Sequence, residues 1–132
     1  MGHSYSEEKL VERPAIALFA ELGWQTVSAL EEVLGEHGTL GRQTKSEVVL
    51  LPRLRSALCR LNPGLPDAVI DDAVERLIRD RSAMSLQAAN REAYQLLKDG
   101  IPLSIPDPSS GGQSAERLRV IDWEEPTRND FV

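Results

Sequence analysis

The sequence predicts an α+β fold, mainly helical and closed by a C-terminal β-hairpin. Apolar residues recur at helical spacing in three consecutive segments between Ser46 and Lys98, and beyond Gly100 that spacing gives way to alternation. The 132 residues suffice for one core and not for two domains. Hydrophobic residues are 41% and charged residues 27% of the chain, the balance of a globular protein rather than a disordered one.

Ser6, followed by Glu7 and Glu8, marks a helix start, because its side-chain oxygen caps free N–H groups and the carboxylates suit the positive end of the helix dipole. Leu10, Val11, Ile16, Leu18, Phe19 and Leu22 supply a rough apolar stripe before Gly23. Pro14 breaks the backbone ladder, so the helix either kinks there or starts again with Pro14 in its first turn. Trp24 to Val27 have strand-like composition, whereas Ser28 to Arg42, with three glycines, reads as a loop with at most one short helix.

A helix is predicted from Ser46 to Leu61 on the spacing of Leu50, Leu54, Ala57, Leu58 and Leu61. After the Asn62-Pro63-Gly64 break, Pro66 and Asp67 open a second, carrying Ile70, Ala73, Val74, Leu77 and Ile78, with Asp72/Arg76 and Glu75/Arg79 as pairs four residues apart. A third runs from about Ser85 to Lys98, ahead of Gly100. Ile101 to Ile105 and Arg117 to Trp123 form the hairpin, with Pro106 to Ser114 as a mobile connection. Phe131 and Val132, after a turn, suggest the start of another strand. Residues 1–5 are read as a disordered start or tag remnant, with a native start as the alternative.

Several classes are excluded or disfavoured. No apolar stretch approaches the ~20 residues needed to span a bilayer, so no membrane partner is expected. No secretory leader is visible and Cys59 stands alone, which fits a reducing cytoplasm. A net charge of -6 argues against autonomous DNA binding, because such affinity comes mainly from Lys and Arg neutralising phosphates. The arginines at 53, 55, 60, 76, 79 and 81 have acidic neighbours and read as solvated helix faces rather than a DNA track. His3 and His37 lack companions at zinc-ligand spacing, and His37 reads as a loop residue. Cys59 is expected to be a small buried hydrophobe rather than a nucleophile. No phosphate-binding loop precedes a helical Lys, so no ATP site is expected here. Trp24 and Trp123 are expected in core or edge packing rather than base stacking.

A set of short phrases carries a resemblance. Leu22-Gly23-Trp24, Gly41-Arg42, Glu47-Val48-Val49-Leu50, Leu61-Asn62-Pro63-Gly64-Leu65-Pro66, the Asn90 to Leu97 helix, Asp99-Gly100-Ile101-Pro102, Val120-Ile121-Asp122-Trp123 and Asn129-Asp130-Phe131 occur in this order. In that order and at those distances the chain resembles the beginning of the restriction (R) subunit of type I restriction enzymes from Ser6 onward. The resemblance implies a large subunit with an N-terminal nuclease domain of the PD-(D/E)xK class and an ATP-driven DNA-translocating motor. It implies Mg2+ and ATP as cofactors of the full-length subunit, and DNA, a methylase subunit and a specificity subunit as its partners. Residues 6–132 are then the N-terminal part of the nuclease domain, ending before the catalytic strands, and the hairpin belongs to an incomplete nuclease sheet.

On that reading no catalytic or cofactor-binding residue lies in this stretch, and it acts as a structural scaffold that is inactive alone. The resemblance leaves one metal candidate, Glu12, placed where the family carries a Glu on its first helix. The other reading of Glu12 is a solvated carboxylate beside Arg13. A rival for the whole chain is a standalone helical protein-binding module that docks through the edge of its hairpin.

Overall fold

The computed structural model describes residues 6–130. The readings of residues 1–5, of His3 and of Phe131 and Val132 lie outside them. The described chain is α+β, with four helices and one two-stranded antiparallel sheet.

The first helix begins where Ser6 predicts, its Oγ accepting the Lys9 N–H at 3.3 Å. A π-helical turn over Glu8–Glu12 leads into α1, Arg13–Glu21. Pro14 sits in the first turn of α1 and the chain stays helical through it, the wider π-helical turn before it accommodating the backbone bond that proline cannot make. The Arg13 N–H reaches back five residues to the Glu8 carbonyl, the wide register of the preceding turn. Both alternatives for Pro14 thus resolve into a restart without a break.

Trp24 to Val27 form no strand. Composition favoured one, but no described strand lies beside this segment to pair with it. The Trp24 N–H instead bonds the Phe19 carbonyl at 2.9 Å, closing the helix end. From there to Leu50 the chain is irregular, as the glycines suggested.

Helix α2 spans Leu51–Leu61 and not Ser46–Leu61. Pro52 is tolerated only in a first turn and disfavours helical backbone before it, so the apolar spacing upstream has no helix to occupy. Helix α3, Asp67–Ile78, and helix α4, Leu86–Asp99, fall where periodicity put them. Ser85 caps α4 by accepting the Ala88 N–H at 3.2 Å. Arg81 folds back over the end of α3 and donates to the carbonyls of Arg76, Leu77 and Arg79.

Strand β1 is Ile101–Pro106 and β2 is Gln113–Leu118, with Ile101 opposite Leu118 and Pro106 opposite Gln113. The second strand lies earlier than the predicted Arg117 to Trp123. The Pro106 to Ser114 connection is correspondingly shorter, and it is tied rather than loose. Asp107 accepts from the Ser109 N–H and from both the Ser109 and Ser110 hydroxyls, which lower its pKa to about 2.

The core consists of Leu58 and Leu61 on α2, Ile70 and Ala73 on α3, and Ile101, Leu103 and Leu118 on the hairpin. Leu54, Val74, Leu77, Leu96 and Val120 pack around it. Its composition follows from the two periodicities: α2 and α3 each turn one stripe inward, and β1 buries alternate residues. No helix among the described residues is long and apolar enough to cross a membrane.

Candidate functional site: a clasp around Asp122

Past Leu118 the chain leaves the sheet yet keeps an extended course, and Asn62 explains how. Asn62 follows α2, and its Nδ2 donates to the Leu58 carbonyl (2.9 Å) and the Arg119 carbonyl (2.8 Å). Its Oδ1 accepts the Arg119 N–H at 2.7 Å. One side-chain amide therefore replaces the neighbouring strand that Arg119 lacks. This is why apolar alternation continues beyond β2 without a strand to show for it.

Three residues on, Asp122 is only 1% exposed. A buried carboxylate is costly unless its oxygens are met by donors, and here both are. Oδ1 accepts the backbone N–H groups of Glu124 (3.1 Å) and Glu125 (2.9 Å). Oδ2 faces the guanidinium groups of Arg128 (2.9 Å) and Arg119 (3.4 Å). The Glu125 N–H, then the positive charge of Arg119, the Glu124 N–H and Arg128 hold its pKa below the ordinary carboxylate value against the opposing effect of burial.

Asn129 closes the ring. Its Oδ1 accepts the Asp122 N–H and its Nδ2 donates to the Asp122 carbonyl, both at 2.9 Å. The turn between them is a short 3-10 helix, Pro126–Arg128. Arg60 of α2 anchors the outgoing chain through the Arg128 carbonyl (3.3 Å) and the Asp130 carboxylate (3.0 Å).

A second knot lies upstream. Arg42 pairs with Glu32, whose side chain is 1% exposed, and donates to the carbonyls of Lys45 (3.1 Å) and Glu47 (3.0 Å). The Arg42 hydrogen bond lowers the Glu32 pKa, and Glu32 in turn raises that of Arg42. Gly41, at φ +69°, sets the turn, and a Cβ there would come within 2.6 Å of Pro52.

With its oxygens already met by these donors, Asp122 is unsuited to act as a general base or a cation ligand. Glu12 is exposed on the first helix, and among the described residues it has no hydrogen-bond or ion-pair partner; Arg13 pairs with Glu8 instead. No three His, Cys, Asp or Glu side chains among the described residues are gathered closely enough to hold a metal ion. The donor set among the described residues does not fit Mg2+.

Other residues singled out by sequence fall as follows. His37 is an exposed loop residue. Cys59 is exposed and not buried, because Leu58 and Leu61 take the inward stripe of α2 and leave Cys59 turned off it. Trp24 and Trp123 are outside the core, 36% and 63% exposed, and the Trp123 indole N–H rests on the Leu97 carbonyl at 3.3 Å. Among the described residues the arginines are drawn into pairs rather than an open basic track: Arg55 pairs with Asp67 and Asp71, and Arg76 with Asp72. Arg79 reaches Glu92 on α4 rather than the predicted Glu75. Asn62, Asp122 and Asn129 stand in the phrases that carry the resemblance, but the sequence pattern gives them no role. Their signal is local: Asn before Pro-Gly at a helix end, and Asp shortly before Glu-Pro, an Asx-turn pattern.

The fold and its clasp define a small α+β module whose polar knots order backbone. Comparison with known proteins then gives its family. The model of the type I restriction enzyme R protein N terminus matches residues 4–132, and the chain belongs to that family. It is 30% identical over 125 residues to the type I restriction enzyme HindI endonuclease subunit of Haemophilus influenzae. That match covers 95% of this chain and 12% of the relative. No solved structure matches the chain.

Proposed function

We propose that this chain is the scaffolding N-terminal part of a nuclease domain in an R subunit that cleaves DNA after ATP-dependent translocation. The observation that carries the scaffold role is the use of the buried Asp122 carboxylate. It is met by two backbone N–H groups and two arginines, an arrangement that fixes the course of the chain and leaves little capacity for chemistry. The hairpin is then the first part of a PD-(D/E)xK-type sheet continued by later residues of the subunit. Mg2+ and ATP belong to those later residues, and DNA, the methylase subunit and the specificity subunit are partners of the whole cytoplasmic enzyme.

The test is direct. The 132-residue chain, incubated with supercoiled plasmid, Mg2+ and ATP, is expected to give neither nicking nor ATP turnover. Reproducible nicking abolished by Glu12→Ala would overturn the scaffold reading and place Glu12 in a metal site.

A further inference from the structure

Residues 6–50 contain no buried apolar residue, whereas the buried core is drawn entirely from Leu58 onward. Leu18 on α1 and Leu22 at its C-terminal cap are one turn apart on the same face and are 54% and 65% exposed. An open apolar helix face in a segment with no core of its own is a surface that gains stability when another segment covers it.

Two features indicate by what. Asp130, held by Arg60, lies at the lip of two clefts flanking α2. One is walled by Leu54 and Ala57 of α2 and by Gln25 and Leu50 of the coreless segment. Asp130, the last described residue, therefore sits where α2 and the N-terminal third face each other. The family is an R protein N terminus, and the matched stretch is 12% of the Haemophilus influenzae relative, so most of such a subunit follows this point. A second copy is a poorer occupant: the helix carries Glu7, Glu8, Glu12 and Glu21 against Lys9 and Arg13, and the whole chain has a net charge of -6.

We infer that the apolar face of α1, together with the cleft between α2 and Gln25, is an intramolecular docking surface for the polypeptide following residue 132 of the R subunit. Residues 6–50 thus gain a core only in the longer chain. This rests on the reading of the chain as the start of a larger subunit.

The experiment is hydrogen exchange of the α1 amides, read by mass spectrometry in the full-length subunit and in the 132-residue chain. At least ten-fold stronger protection is expected in the full-length subunit alone. Leu18→Glu should return it to the level of the short chain, while Leu18→Met retains it. Equal protection in both proteins overturns the inference. So does protection that appears only when methylase and specificity subunits are added, or protection of the short chain that rises with concentration as it dimerises. A native gene that stops after Val132 overturns instead the underlying reading of the chain as part of a larger subunit.

Discussion

Asn62 makes three hydrogen bonds that tie the end of α2 to the strand-like backbone of Arg119. Asn62→Ala is expected to destabilise the chain by roughly 1–3 kcal/mol in urea unfolding, given ~0.5–1.5 kcal/mol net per hydrogen bond and partial replacement by water. Asn62→Asp should be no better than Ala, because it turns a carboxylate toward two carbonyls; an Asp variant as stable as wild type would show that the donor half of the clasp is idle. Asp122 adds a pH dependence with a definite sign. Its folded pKa lies below the ordinary 3.8, so its contribution is fully present well above that value and is lost as pH falls through the lower folded value. Asp122→Asn is expected to lower stability at pH 7 and to flatten the decline below about pH 4, measured by urea midpoints across the range. A variant whose midpoints run parallel to wild type at every pH would remove Asp122 as a titrating contributor.

At the scale of elements, what was legible in sequence was periodicity that tertiary packing also used. Helices α3 and α4 were readable because their stripes coincide with real burial or capping, as at Ile70, Ala73 and Ser85. The start of α2 falls later than Ser46 because the helical spacing that runs from Leu50 to Leu61 does not register the constraint of Pro52. Strand β2 was displaced because Asn62, distant in sequence, imitates a strand beside Arg119. No local pattern reports a partner 57 residues away. The clasp was legible as a set of motif letters but not as a mechanism, since its bonds join three separated segments. Two substitutions test the element picture. Gly100→Ala should cost about 1–3 kcal/mol, because φ there is +83° and a Cβ would lie 2.7 Å from the Leu118 carbonyl oxygen. Leu58→Ala, at 0% exposure, should cost about 2–5 kcal/mol, whereas Leu18→Ala in the 132-residue chain should stay within about 0.5–1 kcal/mol. Equal losses at the two leucines would mean that α1 already shares the core.

For the whole molecule, the uneven distribution of burial implies uneven stability. The α2–α3–hairpin body holds the buried residues from Leu58 to Asp122, while residues 6–50 are fastened mainly by exposed polar contacts and by the Arg42 knot. Segments with few buried apolar contacts open at lower free-energy cost than the global unfolding that exposes a core. Limited trypsin digestion of the 132-residue chain should therefore cut first at Lys9 or the exposed Lys45, leaving a survivor that begins close to Ser46. Arg79 and Arg81 should be cut later, because Arg79 is paired with Glu92 and Arg81 is wound over the end of α3. Cleavage reads the population of open segments when reclosing is fast, so the order of cuts ranks local stabilities rather than accessibility alone. Simultaneous loss of the Lys45 and Arg81 bonds at all protease concentrations would mean that the N-terminal third unfolds together with the core. In that case the apolar face of α1 must already be covered in the short chain, a state in which raising concentration should slow the first cut.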